Sequence, residues 1–274
     1  MTAEQYLGVI SDYKFANELN PRFRRTMEDE HIALTDLEHV DGAAFFGIYD
    51  GHGGRDAVEF AKANLHNVFL DIIQKSPEGK VTDLLAEAFQ VTDKNMEEAH
   101  VEYDGTTAVV LYIRKEKKDG HPIKKLYVAN CGDARAILVT PTGGKRLSYD
   151  HKPNLPEEVS RIRDAGGFVV AGRVNGILSV SRALGDHAMK KFVISDAFVS
   201  ETTVDPAVDT HVVLACDGVW DVLSDDDVAQ IVTTNKDDCG EAAESIKKTA
   251  LEKGSMDNIT VGVIKLQQGD PVKV

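Results

Sequence analysis

The sequence predicts an α+β protein in which antiparallel sheets are covered by helices. Short apolar or β-branched runs indicate buried strands, and segments with apolar residues at helical spacing lie between groups of them. These strands and helices come in pairs rather than in strict alternation. That order favours antiparallel sheets over a doubly wound parallel sheet.

The predicted elements lie in two groups, at residues 31–139 and 210–266. Strands are predicted at residues 31–37, 43–49, 106–113, 124–129, 134–139, 210–216 and 258–266. Helices are predicted at residues 58–72, 84–99, 225–233 and 241–251. The runs at 124–129 and 134–139 flank Asn130-Cys131-Gly132-Asp133, a spacing that predicts a hairpin.

The composition limits the classes of partner. The chain of 274 residues is 42% hydrophobic, which is enough for a buried core, and its net charge is −14. A chain this acidic lacks the cationic excess that nucleic-acid binding needs. The same charge repels anionic substrates at long range, so any phosphate chemistry needs a local positive centre, either arginine or metal.

The cysteines and the N-terminus bear on the compartment. Cys131, Cys216 and Cys239 form neither a disulfide framework nor a zinc pattern. The first residues lack a signal peptide, and no apolar run reaches the length of a membrane span. We therefore expect a cytoplasmic protein without a membrane partner, and the sequence does not separate cytosol from nucleus.

Carboxylates follow two of the buried runs directly. Asp50-Gly51 comes after residues 43–49, and Asp217-Gly218 comes after residues 210–216. Asp-Gly is a common turn dipeptide, so each pair alone fits a turn as well as a ligand site. A carboxylate at the mouth of a buried strand is costly unless something positive pairs with it.

The carboxylates are more informative as a group than singly. Glu28 and Asp257 also stand next to predicted strands, and if these strand ends converge they form an oxygen-only cluster with Asp50 and Asp217. Such a cluster repels itself without cations, and Mg²⁺ or Mn²⁺ suits oxygen ligands. Gly51 has no side chain, so its carbonyl can approach a metal closely. Two metals in such a cluster would support displacement at phosphorus.

Two further side chains are candidates for phosphate chemistry. Arg22, Arg24 and Arg25 precede Glu28, and a guanidinium can bind two phosphate oxygens at once. Any one of them alone fits a solvated basic patch. His52 alone fits a structural role in a Gly-rich turn, whereas next to a bound phosphate it can donate a proton to a leaving oxygen.

Eight motifs in order resemble those of the metal-dependent protein phosphatases, the type 2C (PPM) serine/threonine family. They span roughly residues 24–265 and occupy residues 24–29, 49–54, 104–108, 130–135, 150–153, 178–186, 215–221 and 254–258. Any one of them is weak, but all eight in the family's order are very specific.

The resemblance implies a fold more detailed than the spacing predicts. It implies a four-layer α/β/β/α sandwich, in which two packed antiparallel sheets are flanked by helices. Residues 1–274 would form a single catalytic domain, with a flap at about 153–195 that influences substrate choice. No further regulatory domain is expected at the C-terminus.

The resemblance also implies roles for individual residues. The metal ligands would be Glu28, Asp50, the Gly51 carbonyl, Asp217 and Asp257. Asp29 would orient metal-bound water, Arg24 would hold the phosphate, and His52 would be the general acid. Asp133 and Asp221 match positions linked to a weaker third metal, and a structural role for them is equally open. Asp186 and Arg182 are expected to be structural.

The activity implied is hydrolysis of phosphoserine and phosphothreonine in proteins. A water bridging two Mn²⁺ or Mg²⁺ ions would attack phosphorus directly, without a covalent phosphoenzyme. No cysteine lies in a Cys-x5-Arg loop, and Cys131 and Cys216 are expected to be packing residues. Phosphoproteins are the expected partners, and the protein is expected to be a monomer.

The sequence leaves some alternatives open. The family usually has a glycine shortly before its phosphate arginine, and here the stretch is Asn20-Pro21-Arg22-Phe23, so Arg22 competes with Arg24. A catalytically silent regulator would have lost metal ligands, and all of them are present. A two-metal nuclease or nucleotide hydrolase is disfavoured by the acidic charge for long nucleic acids.

Overall fold

The described residues form thirteen strands and six α-helices. The computed structural model describes residues 8–35, 37 and 42–268. In chain order the strands are β1 (Ile10–Glu18), β2 (Asp29–Leu34), β3 (Ala43–His52), β4 (Gly105–Lys118), β5 (His121–Cys131), β6 (Arg135–Thr140), β7 (Gly143–Arg146), β8 (Val169–Val170), β9 (Arg173–Val174), β10 (Leu184–Gly185), β11 (Phe198–Thr203), β12 (His211–Ala215) and β13 (Ile259–Leu266). The helices are α1 (Asp56–Lys75), α2 (Val81–Glu98), α3 (Pro156–Asp164), α4 (Asp217–Trp220), α5 (Asp225–Thr234) and α6 (Cys239–Glu252).

Two antiparallel sheets carry the fold. The first has the strand order β1-β13-β12-β6-β7, and the second has the order β11-β5-β4-β3-β2, with β10 beside the start of β4. Apolar side chains between the sheets form one core, as Phe46, Leu111 and Leu214 illustrate. The expected α+β sandwich of two packed antiparallel sheets is confirmed.

Helices cover the outer face of each sheet. Helices α1 and α2 pack on the second sheet through Phe69 and Phe89, and helices α5 and α6 pack on the first through Val228 and Ile246. Because the sheets are covered on both faces, inner strands such as β3 and β12 are continuously apolar rather than alternating. No helix among the described residues combines the length and the apolar character needed to cross a lipid bilayer.

The predicted hairpin between residues 124–129 and 134–139 is wrong. Strand β5 lies in the second sheet between β4 and β11, whereas β6 lies in the first sheet between β12 and β7. The chain crosses from one sheet to the other at Gly132, whose φ of 105° favours glycine. Both segments are apolar on both faces, so their sequences do not show which strand each one pairs with.

The segment at about 153–195, expected to be a flap, has a small core of its own. It contains α3 and the short β8–β9 pair, and its apolar cluster includes Ile162, Val174 and Val193. Arg182 contacts the buried Glu158 and donates to the Asp196 carbonyl at 3.0 Å. These contacts are of the kind that a structural role for Arg182 requires.

The sheet register brings distant acidic residues to one end of the sandwich. Asp29 at the start of β2 pairs with Asp50 near the end of β3. Asp50 also pairs with Thr107 of β4 on its other side. Asp217 follows the end of β12, and Asp257 precedes the start of β13, which pairs with β12.

A glycine in the middle of β13 makes room for an aromatic ring. A Cβ at Gly262 would lie 2.4 Å from Phe15 Cε1, and the Phe15 ring stacks on His31 of the opposite sheet at 4.4 Å between centroids. We predict that Gly262→Ala lowers the free energy of unfolding by about 1–3 kcal/mol, because the ring must move. Urea denaturation measures this change.

The same denaturation series contains its own control. In a Phe15→Ala background the ring is gone, so adding Gly262→Ala should cost clearly less than it does in the wild-type chain. An equal cost in both backgrounds would show that the ring contact is not the cause.

Candidate active site

Asp29, Asp50 and Cys216 form the centre of the acidic end, with Asp29 and Cys216 buried and Asp50 half-buried. One ligand atom from each lies within 4.8 Å of the others. Cys216 reaches this position from β12 of the opposite sheet, and its sulfur accepts a hydrogen bond from the Thr260 N–H at 3.1 Å. Burial holds the pKa of the Cys216 thiol well above its ordinary value, so it stays a neutral thiol.

The carboxylates at this end repel one another. Desolvation, followed by the charges of Asp217, Asp29, Asp133 and Asp257, raises the pKa of Asp50 well above its ordinary value of 3.8. The structure thus brings together four of the predicted acidic site residues around Asp50.

The pKa values of Asp217 and Asp29 are also raised. Desolvation, followed by the charges of Asp133 and Asp257, raises the pKa of Asp217 well above 3.8. The pKa of Asp29 rises to about 6, mainly because the side chain is buried, although hydrogen bonding to Thr260 and Cys216 lowers it in part. The cluster is therefore short of positive charge.

The backbone around Glu28 and Gly51 is tightly packed. The Gly51 N–H donates to the Glu28 carbonyl at 3.1 Å, and a Cβ on Gly51 would lie only 2.5 Å from that oxygen. The Glu28 N–H donates to Asn258 Oδ1 at 2.9 Å, which links this loop to the start of β13. A side chain at position 51 is therefore excluded by the fold, independently of any metal.

Gly218 meets a similar restriction beside Asp217. A Cβ there would lie 2.0 Å from the Asn258 carbonyl oxygen, and Ser255 Oγ donates to the Gly218 carbonyl at 2.7 Å. Asn20 Nδ2 donates to the Asp257 carbonyl at 3.1 Å. These contacts fix the loops that carry Asp217 and Asp257.

Among the three arginines, Arg24 is the one in contact with the acidic end. Its guanidinium forms an ion pair with Asp257, and its side chain is 43% exposed. The Arg22 guanidinium instead lies over the Phe23 ring at 5.2 Å. Arg24 is therefore anchored at one side and open to solvent at the other.

His52 is held by a buried carboxylate. Its Nε2 lies 2.8 Å from Asp186 Oδ2, and the Asp186 side chain is only 3% exposed. Burial alone would lower the pKa of His52, but the hydrogen bond and charge of Asp186, with smaller contributions from Asp133 and Glu28, raise it above 6.5. The expectation that Asp186 is only structural therefore misses its contact with His52.

Asp133 and Asp221 share an ammonium group. Lys152 Nζ lies 2.6 Å from Asp133 Oδ2 and 3.5 Å from Asp221 Oδ1. These charges raise the pKa of Lys152 although burial alone would lower it. Asp133 is buried, whereas Asp221 is 64% exposed.

The residues present fit hard divalent cations. Asp29 Oδ2 and Asp133 Oδ1 are buried oxygens with no hydrogen-bond partner among the described residues. Buried acceptors without partners and carboxylates with raised pKa values are typical of a site that binds a cation. The anionic groups that surround Asp50 among the described residues are carboxylates, and Mg²⁺ and Mn²⁺ prefer carboxylate oxygens as ligands.

Sequence reasoning missed three neighbours of this site. Cys216 and Lys152 lie inside motifs that were identified, but each was assigned no role beyond packing or the motif itself. Asn258 links the Glu28 loop to Leu19, whose carbonyl accepts from its Nδ2 at 2.8 Å. Cys216 and Asn258 adjoin predicted ligands in the sequence, whereas Lys152 adjoins none, so its contact with Asp133 has no local sequence signal.

Comparison with known proteins identifies the family. A family model described as protein phosphatase 2C matches residues 13–259. Protein phosphatase 2C homolog 1 of Schizosaccharomyces pombe is 40% identical over 248 residues, covering 90% of this chain and 71% of that protein. Protein phosphatase 2C homolog 1 of Saccharomyces cerevisiae is 34% identical over 260 residues, covering 92% of each chain.

Solved structures share the fold. A Caenorhabditis elegans sex-determining protein superimposes with a TM-score of 0.81 at 27% identity, covering 94% of this chain and 65% of that one. A serine-threonine phosphatase 2C from Toxoplasma gondii has a TM-score of 0.75 at 23% identity, covering 94% and 95%, and this likeness concerns the fold alone. The family match spans most of the sequence, and the chain therefore belongs to the protein phosphatase 2C family of metal-dependent serine/threonine phosphatases.

Proposed function

We propose that the chain hydrolyses phosphoserine and phosphothreonine in proteins by direct attack of water on phosphorus, at the acidic end of the sandwich. The observation that carries this proposal is the meeting of carboxylates from four separate segments around Asp50, with too little positive charge among them. Such a site is suited to cations, and cations are what a dianionic phosphate needs in a chain of net charge −14.

The proposed ligands of two Mn²⁺ or Mg²⁺ ions are Glu28, Asp50, the Gly51 carbonyl, Asp217 and Asp257. When bound, such ions lower the pKa of water toward about 7 and neutralise phosphate charge. Asp29 lies beside Asp50 in the β2–β3 register, where its carboxylate can accept a proton from the attacking water or orient it.

Arg24 is the proposed phosphate clamp. Its contact with Asp257 holds the guanidinium at the acidic end, while its partial exposure leaves donors for a substrate. A guanidinium binds two phosphate oxygens at once, which orients phosphorus for in-line attack and stabilises the charge that develops there.

His52 is the proposed general acid, and Asp186 is its positioning residue. With Nε2 engaged by Asp186, Nδ1 is the nitrogen left to donate to the leaving serine or threonine oxygen. Asp186 itself is fixed, because its N–H donates to the Asp104 carbonyl at 2.8 Å and its φ of 51° lies in the left-handed region.

Direct attack needs no side-chain nucleophile. Cys131 and Cys216 are fully buried, and burial raises the pKa of both thiols, which opposes formation of a thiolate. Asp133 and Asp221 already share the Lys152 ammonium, so a third ion between them would have to displace it. This competition agrees with a third metal that binds more weakly than the other two.

Replacing Asp50 tests the proposed centre. We predict that Asp50→Asn lowers kcat on a phosphothreonine peptide with Mn²⁺ by about 100-fold or more, because the central carboxylate among the proposed ligands is lost. Steady-state phosphate release measures the change, and full activity of the wild-type chain after exhaustive EDTA treatment would contradict the metal requirement.

Without metal, the wild-type chain and the Asp50→Asn variant should also differ in stability. A carboxyl whose folded pKa is raised destabilises the fold as pH rises above its ordinary pKa of 3.8. We therefore predict that EDTA-treated Asp50→Asn has a higher Tm than wild type at pH 7, and that this difference shrinks toward pH 4. A difference that is constant or reversed in sign would contradict the repulsion.

The two competing arginines can be separated directly. We predict that Arg24→Ala lowers kcat/KM on the phosphopeptide by about 100-fold, because a bidentate contact to phosphate is lost. Arg22→Ala removes a nearby exposed guanidinium with the same change of charge and should lose less than about threefold. Equal losses would reopen the choice between them.

Two substrates with different leaving groups test whether His52 donates a proton. We predict that His52→Gln slows a phosphothreonine peptide about 100-fold but slows p-nitrophenyl phosphate far less, since nitrophenolate leaves without protonation. Asp186→Asn should show the same selective loss at smaller size. Arg182→Gln, altered in the same segment but away from His52, should not distinguish the substrates, and equal losses on both substrates in His52→Gln would reject the acid role.

A further inference from the structure

The end of the β4–β5 hairpin projects beyond the second sheet as a two-stranded ribbon. Pairing of β3 with β4 stops at Ala43 and Arg114, and pairing of β11 with β5 stops at Thr203 and Lys125. We call residues 114–125 the basic ribbon. It turns at Asp119 and Gly120, both with positive φ, as a tight hairpin requires.

The basic ribbon has a charge opposite to that of the whole chain. Residues 114–125 contain six lysines and arginines and two acidic residues, a net charge of +4 within a chain of −14. Lys115, Lys117 and Lys118 are exposed. The ribbon is thus a local positive region on an otherwise acidic molecule.

One face of the ribbon is neutralised within the fold. Glu116 contacts Arg114 Nε at 2.7 Å and Lys125 Nζ at 3.4 Å, and it accepts from the Tyr127 hydroxyl at 2.5 Å. Lys125 also forms an ion pair with Glu201 of β11. These cations have carboxylate partners, so this face offers little to a ligand.

The opposite face has lysines without carboxylate partners. Lys115 pairs directly across the ribbon with Lys124, and Lys117 lies two residues from Lys115 on the same face. Like charges directly opposite one another destabilise a β pair. Within residues 8–35, 37 and 42–268, none of these three ammonium groups forms an ion pair.

The ammonium group of Lys124 has no anionic partner among the described residues. Its Nζ is buried, yet it has no hydrogen-bond partner among the described residues. Burial, and then the charge of Lys115, lowers the pKa of Lys124. A buried donor of this kind calls for an acceptor that the described part of the chain does not provide.

We infer that this face, on which Lys115 and Lys117 are exposed and Lys124 adds a buried charge with no carboxylate partner among the described residues, is a docking site for an acidic Asp/Glu segment of the phosphoprotein substrate. This inference rests on the proposed function, which makes phosphoproteins the substrates. A short acidic peptide fits a face of three lysines on a narrow ribbon. A nucleic acid or an anionic membrane would extend past the ribbon onto a surface of net negative charge, which repels it.

The docking site is remote from the reacting phosphate. Thr107 pairs with Asp50, and Lys117 lies ten residues further along the same strand. At about 3.3 Å per residue, the two points are roughly 33 Å apart. An acidic segment can therefore assist hydrolysis only when enough chain separates it from the phosphorylated residue.

The separation defines the experiment. Three peptides share one phosphothreonine core. The first has no tag. The second carries four glutamates through a four-residue Gly/Ser linker, which falls short of the ribbon even when fully extended. The third carries the same glutamates through about 36 residues, whose mean reach of about 33 Å matches the span. For the wild-type chain with Mn²⁺ at low salt, we predict kcat/KM about fivefold higher for the long-linker peptide than for the other two.

Variants assign the effect to the ribbon. K115Q/K117Q/K124Q should abolish the long-linker advantage while leaving the untagged peptide unchanged. K80Q/K94Q/K248Q, with the same change in net charge at exposed lysines elsewhere, should keep it. The advantage should also fall in 0.5 M NaCl, because exposed charges are screened. Thermal melting of both triple variants confirms that they are folded.

A binding measurement separates this inference from the proposed function. Fluorescence anisotropy of a labelled glutamate octamer, which carries no phosphate, should show binding to wild type and loss in K115Q/K117Q/K124Q. Failure to hydrolyse even the untagged peptide would refute the proposed function and leave the binding result intact. Equal kcat/KM for the long and short linkers, or tighter ribbon-dependent binding of an oligonucleotide or of phosphatidylserine vesicles, would overturn the docking site.

Discussion

Electrostatic repulsion among carboxylates at one end of the sandwich is the constraint on which the rest of this structure depends. Desolvation and neighbouring negative charges both raise the pKa values of Asp50 and Asp217, so the folded chain holds acids that would separate if they were free to do so. Two sheets packed face to face keep them together, because each carboxylate stands at the end of a strand whose register is set by a buried core. The proposed cations would supply the positive charge that the protein itself lacks there.

The loops around these carboxylates are rigid for reasons that have little to do with the ligands themselves. Gly51 and Gly218 admit no Cβ because backbone oxygens lie against them, and Asn258 joins the loop before β2 to the start of β13. The same principle applies to His52, whose ring is held by a buried Asp186. The candidate site is therefore positioned by backbone packing and by a few polar side chains.

Much of the architecture could be predicted, because buried strands and amphipathic helices leave patterns in the sequence itself. The runs that became β3, β4, β12 and β13 and the four long helices were all found near their observed positions. The hairpin at 124–129 and 134–139 was wrong because a strand buried on both faces has no polar side to reveal its neighbours. Glu28, Asp50, Asp217 and Asp257 could be predicted as ligands because each stands next to a predicted strand. His52 and Asp186 are 134 residues apart in the sequence, and Asp133 and Lys152 are 19 residues apart. No local sequence pattern predicts either contact.

The sequence by itself determined the fold class, the family and the set of acids available for metal, because these depend on residue type and order along the chain. Tertiary structure alone decided which arginine contacts the acidic end, which groups hold His52 and Lys152, and which lysines of the β4–β5 hairpin lack a carboxylate. Those properties depend on distances and burial between remote segments. They follow from how two sheets pack and register, and a linear pattern contains no measure of either.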